Sequence, residues 1–155
     1  MSVPVRFPTA SMFDPADNRP ARRLRAVPSP GPSPTARSLL AQARQGLLGA
    51  SREADAAERF VQAHLAALRG AAAVLALRGR PHRTKTKPTS AWVLLASLAP
   101  EFTEWATFFQ ACSPTRAAIE SGITRLVNPR ASDDLVRQAG QFLDLVDRAV
   151  HGAGA

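Results

Sequence analysis

The chain has no tyrosine, a single cysteine and few aromatic residues, which make up 6% of its 155 positions. Runs of β-branched residues, which favour strands, are also missing. Alanine and leucine dominate the apolar residues, and both lose little rotamer freedom in a helix. The composition therefore predicts an all-α protein. The single cysteine, Cys112, excludes an internal disulfide, and a reducing cytoplasm is the simplest compartment for such a chain.

Long hydrophobic runs are also absent. The longest uninterrupted apolar run, 71–77, is far shorter than the roughly 18 residues that a membrane-spanning helix needs, so we expect no membrane contact. The first 34 residues contain eight prolines and scattered arginines, and they lack the apolar centre of a secretory signal. Proline removes backbone donors and disfavours helix at the preceding residue. We therefore predict a disordered tail over 1–32 and one folded domain over 33–151.

The net charge of +8 is concentrated in two segments. The tail, 1–33, has five arginines and two aspartates, and the segment 78–87 has five basic and no acidic residues. The remaining body is neutral, with ten basic and ten acidic residues. Flexible basic segments can bind phosphates or an acidic partner, although no aromatic residue lies within 78–87 to stack on bases. The candidate nucleic-acid-binding residues are Arg78, Arg80, Arg83, Lys85 and Lys87; the alternative is that they only keep the protein soluble.

Three Ser-Pro or Asn-Pro pairs predict helix starts, because each places a capping side chain before a proline at the first helical position. The pairs are Ser33-Pro34, Ser113-Pro114 and Asn128-Pro129. Apolar periodicity predicts helices over about 34–49, 54–78, two halves between 89 and 111 separated at Pro100, a short helix over 114–121 and a last helix over 129–150. The expected architecture is an antiparallel bundle of four main helices plus one short helix.

The pattern of aromatic residues and histidines predicts a packed core without a cofactor or metal. Phe102, Trp105 and Phe109 share one helix face, as core residues commonly do. His64, His82 and His151 have no second histidine or cysteine at ligand spacing. Glycine-rich phosphate loops and nucleophile motifs are absent from the sequence as well.

The second predicted helix contains an Arg-x4-His pair, Arg59 and His64, in an alanine-rich apolar stretch. Five residues turn an ideal helix by about 500°, so the two side chains point about 140° apart. His64 falls inside the apolar stripe, which predicts a histidine buried in the core or at an oligomer interface and hydrogen-bonded to a neighbour. Arg59 faces away, and we expect it to be solvated and paired locally with Asp55.

Two segments, ERFVQAHLAALRGAAAVLA and SAWVLLASLAPEFTEWA, resemble a small actinobacterial branch of the HEPN (higher eukaryotes and prokaryotes nucleotide-binding) superfamily. The resemblance covers roughly 38–147. It implies a bundle of four to five helices, frequent homodimers, and a superfamily that includes metal-independent ribonucleases, toxins and non-catalytic binding members. HEPN ribonucleases use an Arg-x4–6-His motif brought together across a dimer. Arg59 and His64 match this spacing, but they lie on the second helix instead of the C-terminal one, and Phe60 follows the arginine where a polar residue is usual.

Two functional hypotheses follow. The first, which we prefer, is a non-enzymatic, homodimeric HEPN-like helical module that binds a partner protein or RNA. The second is a metal-independent ribonuclease with Arg59 and His64 as catalytic residues across a dimer, in which histidine exchanges a proton and arginine stabilises phosphate charge. The neutral, alanine-rich bundle lacks a convergent polar site, and this favours the first hypothesis.

Overall fold

The computed structural model describes residues 33–79 and 90–152, and within them the chain is a bundle of helices without a strand. The α-helices are Pro34–Arg52 (α1), Ala56–Arg78 (α2), Ala91–Leu98 (α3), Thr103–Glu120 (α4) and Pro129–Asp147 (α5). A 3-10 turn, Pro100–Phe102, precedes α4, and a π-helical turn, Arg148–Gly152, follows α5. The predicted all-α bundle of four main helices and one short helix is confirmed. The tail predicted over 1–32 lies outside the described residues.

The central element is α2, which packs against each of the other four α-helices. Its small side chains let neighbouring backbones approach closely. At Gly70 an added Cβ would overlap Leu143 Cδ2 and would lie 3.3 Å from Phe142 Cε2, so α5 crosses α2 where α2 has no side chain. The buried residues of α2 are Ala57, Phe60, Val61, Ala63, His64, Ala66, Ala67, Gly70, Ala71, Ala73 and Val74.

By length and composition alone, α2 is also apolar enough to cross a membrane. However, 56% of the apolar window is buried inside the bundle. The core helix of a soluble protein passes the same test, because it too must cover its surface with apolar residues. Its position at the centre of the bundle accounts for the hydropathy of α2.

Two of the three predicted helix starts are confirmed. Ser33 Oγ accepts a hydrogen bond from the Ala36 N–H at 3.1 Å, and Asn128 Oδ1 accepts one from the Ala131 N–H at 2.8 Å. Each therefore satisfies one of the backbone donors that a helix start leaves free.

The third predicted start, at Ser113-Pro114, is wrong, because α4 continues through Pro114 to Glu120. The short helix of the bundle is α3 rather than 114–121. Tertiary contacts outweigh the cost of proline in this case: beyond Pro114, Ile119 is buried in the core and the Arg116 side chain bonds to α2. At Pro100 the expected interruption is present, since α3 ends at Leu98 and a 3-10 turn follows.

An aromatic cluster fills the space between α3, α4 and α5. The ring centroids of Trp92 and Phe109 lie 5.1 Å apart in a stacked arrangement, and those of Phe109 and Phe142 lie 5.3 Å apart. Phe102 and Trp105 also contact the Phe142 ring. The aromatic stripe predicted from the sequence is therefore part of the core, and one of its members, Phe109, also contacts the histidine of α2.

Candidate functional site

His64 is a fully buried polar residue on α2. Its ring lies edge-on to Trp92 of α3 and to Phe109 of α4, with centroid distances of 6.0 and 6.2 Å. The apolar residues around it on α2 turn this face toward the core, so the imidazole is carried inside with them. The predicted burial of His64 agrees with the structure.

Both ring nitrogens of His64 are hydrogen-bonded to α4. Nε2 lies 2.9 Å from the Phe109 carbonyl oxygen, and Nδ1 accepts a bond of 3.0 Å from Arg116 Nε–H. A carbonyl only accepts and a guanidinium only donates, so Nε2 carries the proton and Nδ1 carries none. The imidazole is therefore neutral, and neither nitrogen is free to bind another molecule.

Burial lowers the pKa of His64 below its ordinary value of 6.5, because the charged form would lose its hydration. The bond to the Phe109 carbonyl opposes this shift, the positive charge of Arg116 adds to it, and the more distant Glu120 carboxylate opposes it. Near neutral pH the uncharged ring is thus the stable form.

Sequence reasoning did not find Arg116. Its Nη1 donates to both carboxylate oxygens of Glu120, at 3.0 and 3.2 Å, while its Nε donates to His64. The i,i+4 spacing of Arg116 and Glu120 is visible in the sequence, but it is also common on solvated helix faces. The contact with His64 joins residues 52 positions apart, and no local pattern indicates it.

Arg59 is largely buried, with only 11% of its side chain exposed, so the prediction that it is solvated and paired with Asp55 is wrong. Its Nη1 donates to the Glu53 carbonyl at 2.6 Å and to the Ala54 carbonyl at 3.3 Å. Its Nε lies 3.1 Å from Asp133 Oδ1, but the N–H does not point at that oxygen, so we treat this contact as an ion pair without a hydrogen bond. Asp55 instead caps α2 by accepting from the Glu58 N–H at 2.9 Å.

The structure does not bring Arg59 and His64 together within one chain. Arg59 contacts the link between α1 and α2 and the first turns of α5, whereas His64 contacts α3 and α4. Their bonding partners have no residue in common. The polar contacts of the two side chains therefore lie in separate parts of a single protomer.

Of the five predicted nucleic-acid-binding residues, only Arg78 lies in the described part of the chain. Its guanidinium pairs with the Glu101 carboxylate, and this hydrogen bond is the main reason why the pKa of Glu101 is lowered. An open pocket of about 550 Å³ lies beside Arg78, Glu101 and Arg148. The pocket lies at the C-terminal ends of α2 and α5, where free carbonyls disfavour anions. Arg80, Arg83, Lys85 and Lys87 lie outside the described residues.

Helix α3 and the first two thirds of α4 form a surface with few charges. Between positions 90 and 115 the only charged residues are Glu101 and Glu104. Three large apolar side chains on these helices are exposed, Val93 by 49%, Leu98 by 36% and Phe108 by 39%. We refer to α3 and residues 105–115 of α4 as the uncharged surface. Over 33–79 and 90–152 no cluster of three or more potential metal ligands occurs.

The fold and its polar contacts define an all-α helical domain whose central histidine is enclosed and hydrogen-bonded. A family model described as SAV_6107-like HEPN matches residues 50–147, which is well over half of the chain. The chain belongs to this HEPN family, and the resemblance noted from the sequence is confirmed. No curated protein and no solved structure matches the chain.

Proposed function

We propose that this protein is a non-enzymatic HEPN-like helical module that forms homodimers and binds a partner protein in the cytoplasm. The observation that carries the proposal is the enclosure of His64, which is fully buried and has both nitrogens bonded to α4. A general acid or base needs a ring nitrogen within hydrogen-bond reach of its substrate. At His64 the fold already occupies both nitrogens.

The uncharged surface supports the proposed binding role. Interface cores are depleted of charged residues and enriched in aromatic ones, and exposed apolar groups tend to mark contact sites. Val93 and Phe108 supply such groups on α3 and α4. We place the dimer contact on this surface and leave the basic segment 78–87 for charge contacts with a partner.

Incubation of the purified protein with structured and unstructured RNAs in the presence of a metal chelator tests the absence of catalysis. We expect the RNAs to stay intact. Cleavage that is lost in both Arg59→Gln and His64→Gln, but kept in the exposed-site control Arg130→Gln, would establish the ribonuclease instead. Far-UV circular dichroism of each variant shows whether a loss of activity reflects unfolding.

Light scattering after size-exclusion chromatography tests the dimer and its contact. The wild-type protein should have the mass of two chains, and Phe108→Glu should have the mass of one, because a buried unpaired charge is costly at an interface. Gln141→Glu, on an exposed position of α5, should remain dimeric. A wild-type protein that stays monomeric at high concentration would contradict the proposed dimer.

Recovery of partners from native cells, with and without nuclease treatment, distinguishes a protein partner from RNA. We expect the partner to remain bound after nuclease treatment. Loss of the partner after treatment, together with loss in a variant that has alanine at positions 80, 83, 85 and 87, would indicate RNA binding through the basic segment.

A further inference from the structure

Pro114 divides α4 into two halves that share fewer backbone hydrogen bonds than a regular helix. Proline has no N–H, so the Gln110 carbonyl loses its usual helical donor, and the proline ring crowds that carbonyl. The two bonds of His64 lie on either side of this interruption. Nε2 bonds the Phe109 carbonyl before Pro114, and Nδ1 bonds Arg116 after it. One buried imidazole on α2 therefore connects both halves of α4.

We propose that His64 is a proton-operated latch, which holds the C-terminal half of α4, residues 114–120, against α2 and releases it when the imidazole is protonated. This inference depends on the contacts within one chain and is independent of the proposed binding function.

The two bonds respond differently to a proton. Nε2–H donates to the Phe109 carbonyl in both the neutral and the charged ring, so this bond is kept. Nδ1 changes from an acceptor to a donor, and it then faces the Arg116 Nε–H, which also donates. Two donors and two positive charges then face each other at this contact. Protonation therefore breaks only the bond to Arg116 in the C-terminal half of α4, and the bond to Phe109 is kept.

The charged groups that act on His64 favour a closed latch at neutral pH. Among the described residues these are Arg116 and Glu120, both on α4. Trp92 is the aromatic neighbour from α3, and neither α1 nor α5 places a charge that acts on the ring. Burial and Arg116 lower the pKa of His64, whereas Glu120 opposes the shift and is itself bonded to Arg116. The latch should therefore open only below about pH 6.5, the ordinary pKa of a histidine.

The two halves of α4 also differ in how firmly they are packed. Phe102, before the helix, and Phe109 within its first half are buried in the aromatic cluster. In the second half, Ile119 is the one buried residue, and it is 8% exposed. The loop that follows contains Leu126, which is 53% exposed. Fewer apolar contacts hold this end, so a local opening there can occur without unfolding of the bundle.

Hydrogen exchange of the full chain, followed by NMR between about pH 7.5 and about pH 5, tests the latch. Protection factors correct for the intrinsic pH dependence of exchange, and the His64 ring signals give its protonation in the same samples. As the pH falls, we expect the protection factors of amides 117–121 to decrease by roughly tenfold or more. The midpoint of this decrease should coincide with the midpoint of the His64 titration. Amides 106–110 should keep their protection.

His64→Gln should remove the pH response, because glutamine offers a donor and an acceptor but does not titrate. Arg116→Gln should lower the protection of 117–121 already at neutral pH. His151→Gln is the matched control: His151 is exposed and paired with Asp147, and its loss should leave the response unchanged.

The latch is overturned if protection of 117–121 is constant across the His64 titration, or if both halves of α4 open together. It is also overturned if His64→Gln keeps the wild-type response, or if Arg116→Gln leaves protection at neutral pH unaltered. The wild-type and Arg116→Gln measurements decide the matter even if His64→Gln fails to fold.

Discussion

At the scale of single residues, the enclosed polar side chains of α2 make their polar contacts outside α2. His64 bonds to α4, and Arg59 bonds to the link before α2 and pairs with Asp133 of α5. A polar group withdrawn from water without a partner is costly, so each of these contacts helps to fix how the helices pack. The Arg-x4-His spacing therefore describes two separate structural contacts in this chain.

Acidification should reduce the free energy of unfolding through His64. Its pKa is lowered in the folded state from 6.5, so the unfolded chain takes up a proton first as the pH falls. The stabilising contribution is complete above about pH 6.5 and is lost progressively below it. Urea unfolding at about pH 7.5 and pH 5.5 should show a smaller pH dependence for His64→Gln than for wild type. An identical dependence in both proteins would rule out this role.

Arg59→Met should lower the free energy of unfolding by about 1–3 kcal/mol, because two backbone carbonyls lose a charged donor and Asp133 loses its partner. Arg130→Met is the control, since 85% of the Arg130 side chain is exposed and its nearest carboxylate oxygen, on Asp134, is 3.9 Å away. The free energy of unfolding of Arg130→Met should stay within about 0.5 kcal/mol of the wild-type value. Urea denaturation of the two variants measures both values, and an equally small effect would contradict the structural role of Arg59.

At the scale of helices, packing decides where local preferences apply. Ser33 and Asn128 cap helices as their sequence pattern predicts, whereas α4 continues through Pro114. Gly70 is another such case, since glycine is a poor helix former that the close approach of α5 requires. Helical propensity alone would favour alanine at that position.

Gly70→Ala and Gly140→Ala should change stability in opposite directions. The Cβ added at position 70 overlaps Leu143 in a filled core. Overpacking should cost about 1–3 kcal/mol of stability, which exceeds the gain of about 1 kcal/mol from helix propensity, so Gly70→Ala should be destabilising. At position 140 the nearest atom, Leu47 Cδ2, is 3.7 Å from the new Cβ, so the propensity gain should dominate. Thermal unfolding of both variants shows whether each substitution raises or lowers the melting temperature. Stabilisation by Gly70→Ala would show that α5 can move aside.

At the scale of the whole molecule, we expect a separation between the excess positive charge and the folded body of the chain. The excess positive charge belongs to the tail and to the segment 78–87, while the rest of the sequence is neutral. Under the proposed function, the basic segment 78–87 is left for charge contacts with a partner.

Deletion of the tail tests this separation. We expect a chain that starts at position 33 to unfold cooperatively, with a free energy within about 0.5 kcal/mol of the full chain, because a segment rich in proline and arginine buries little apolar surface. Urea denaturation followed by circular dichroism measures the difference. A clear loss of stability would mean that the tail packs on the bundle.

The sequence by itself determined the all-α class, two helix caps and the burial of His64, because composition, capping and apolar periodicity act within a few residues. The tertiary structure alone decided that Arg116 bonds His64, that α4 runs through Pro114 and that Arg59 is enclosed. These outcomes depend on groups brought together from distant positions, such as the 52-residue separation of His64 and Arg116. A local pattern cannot specify such partners, because they become neighbours only when the helices pack.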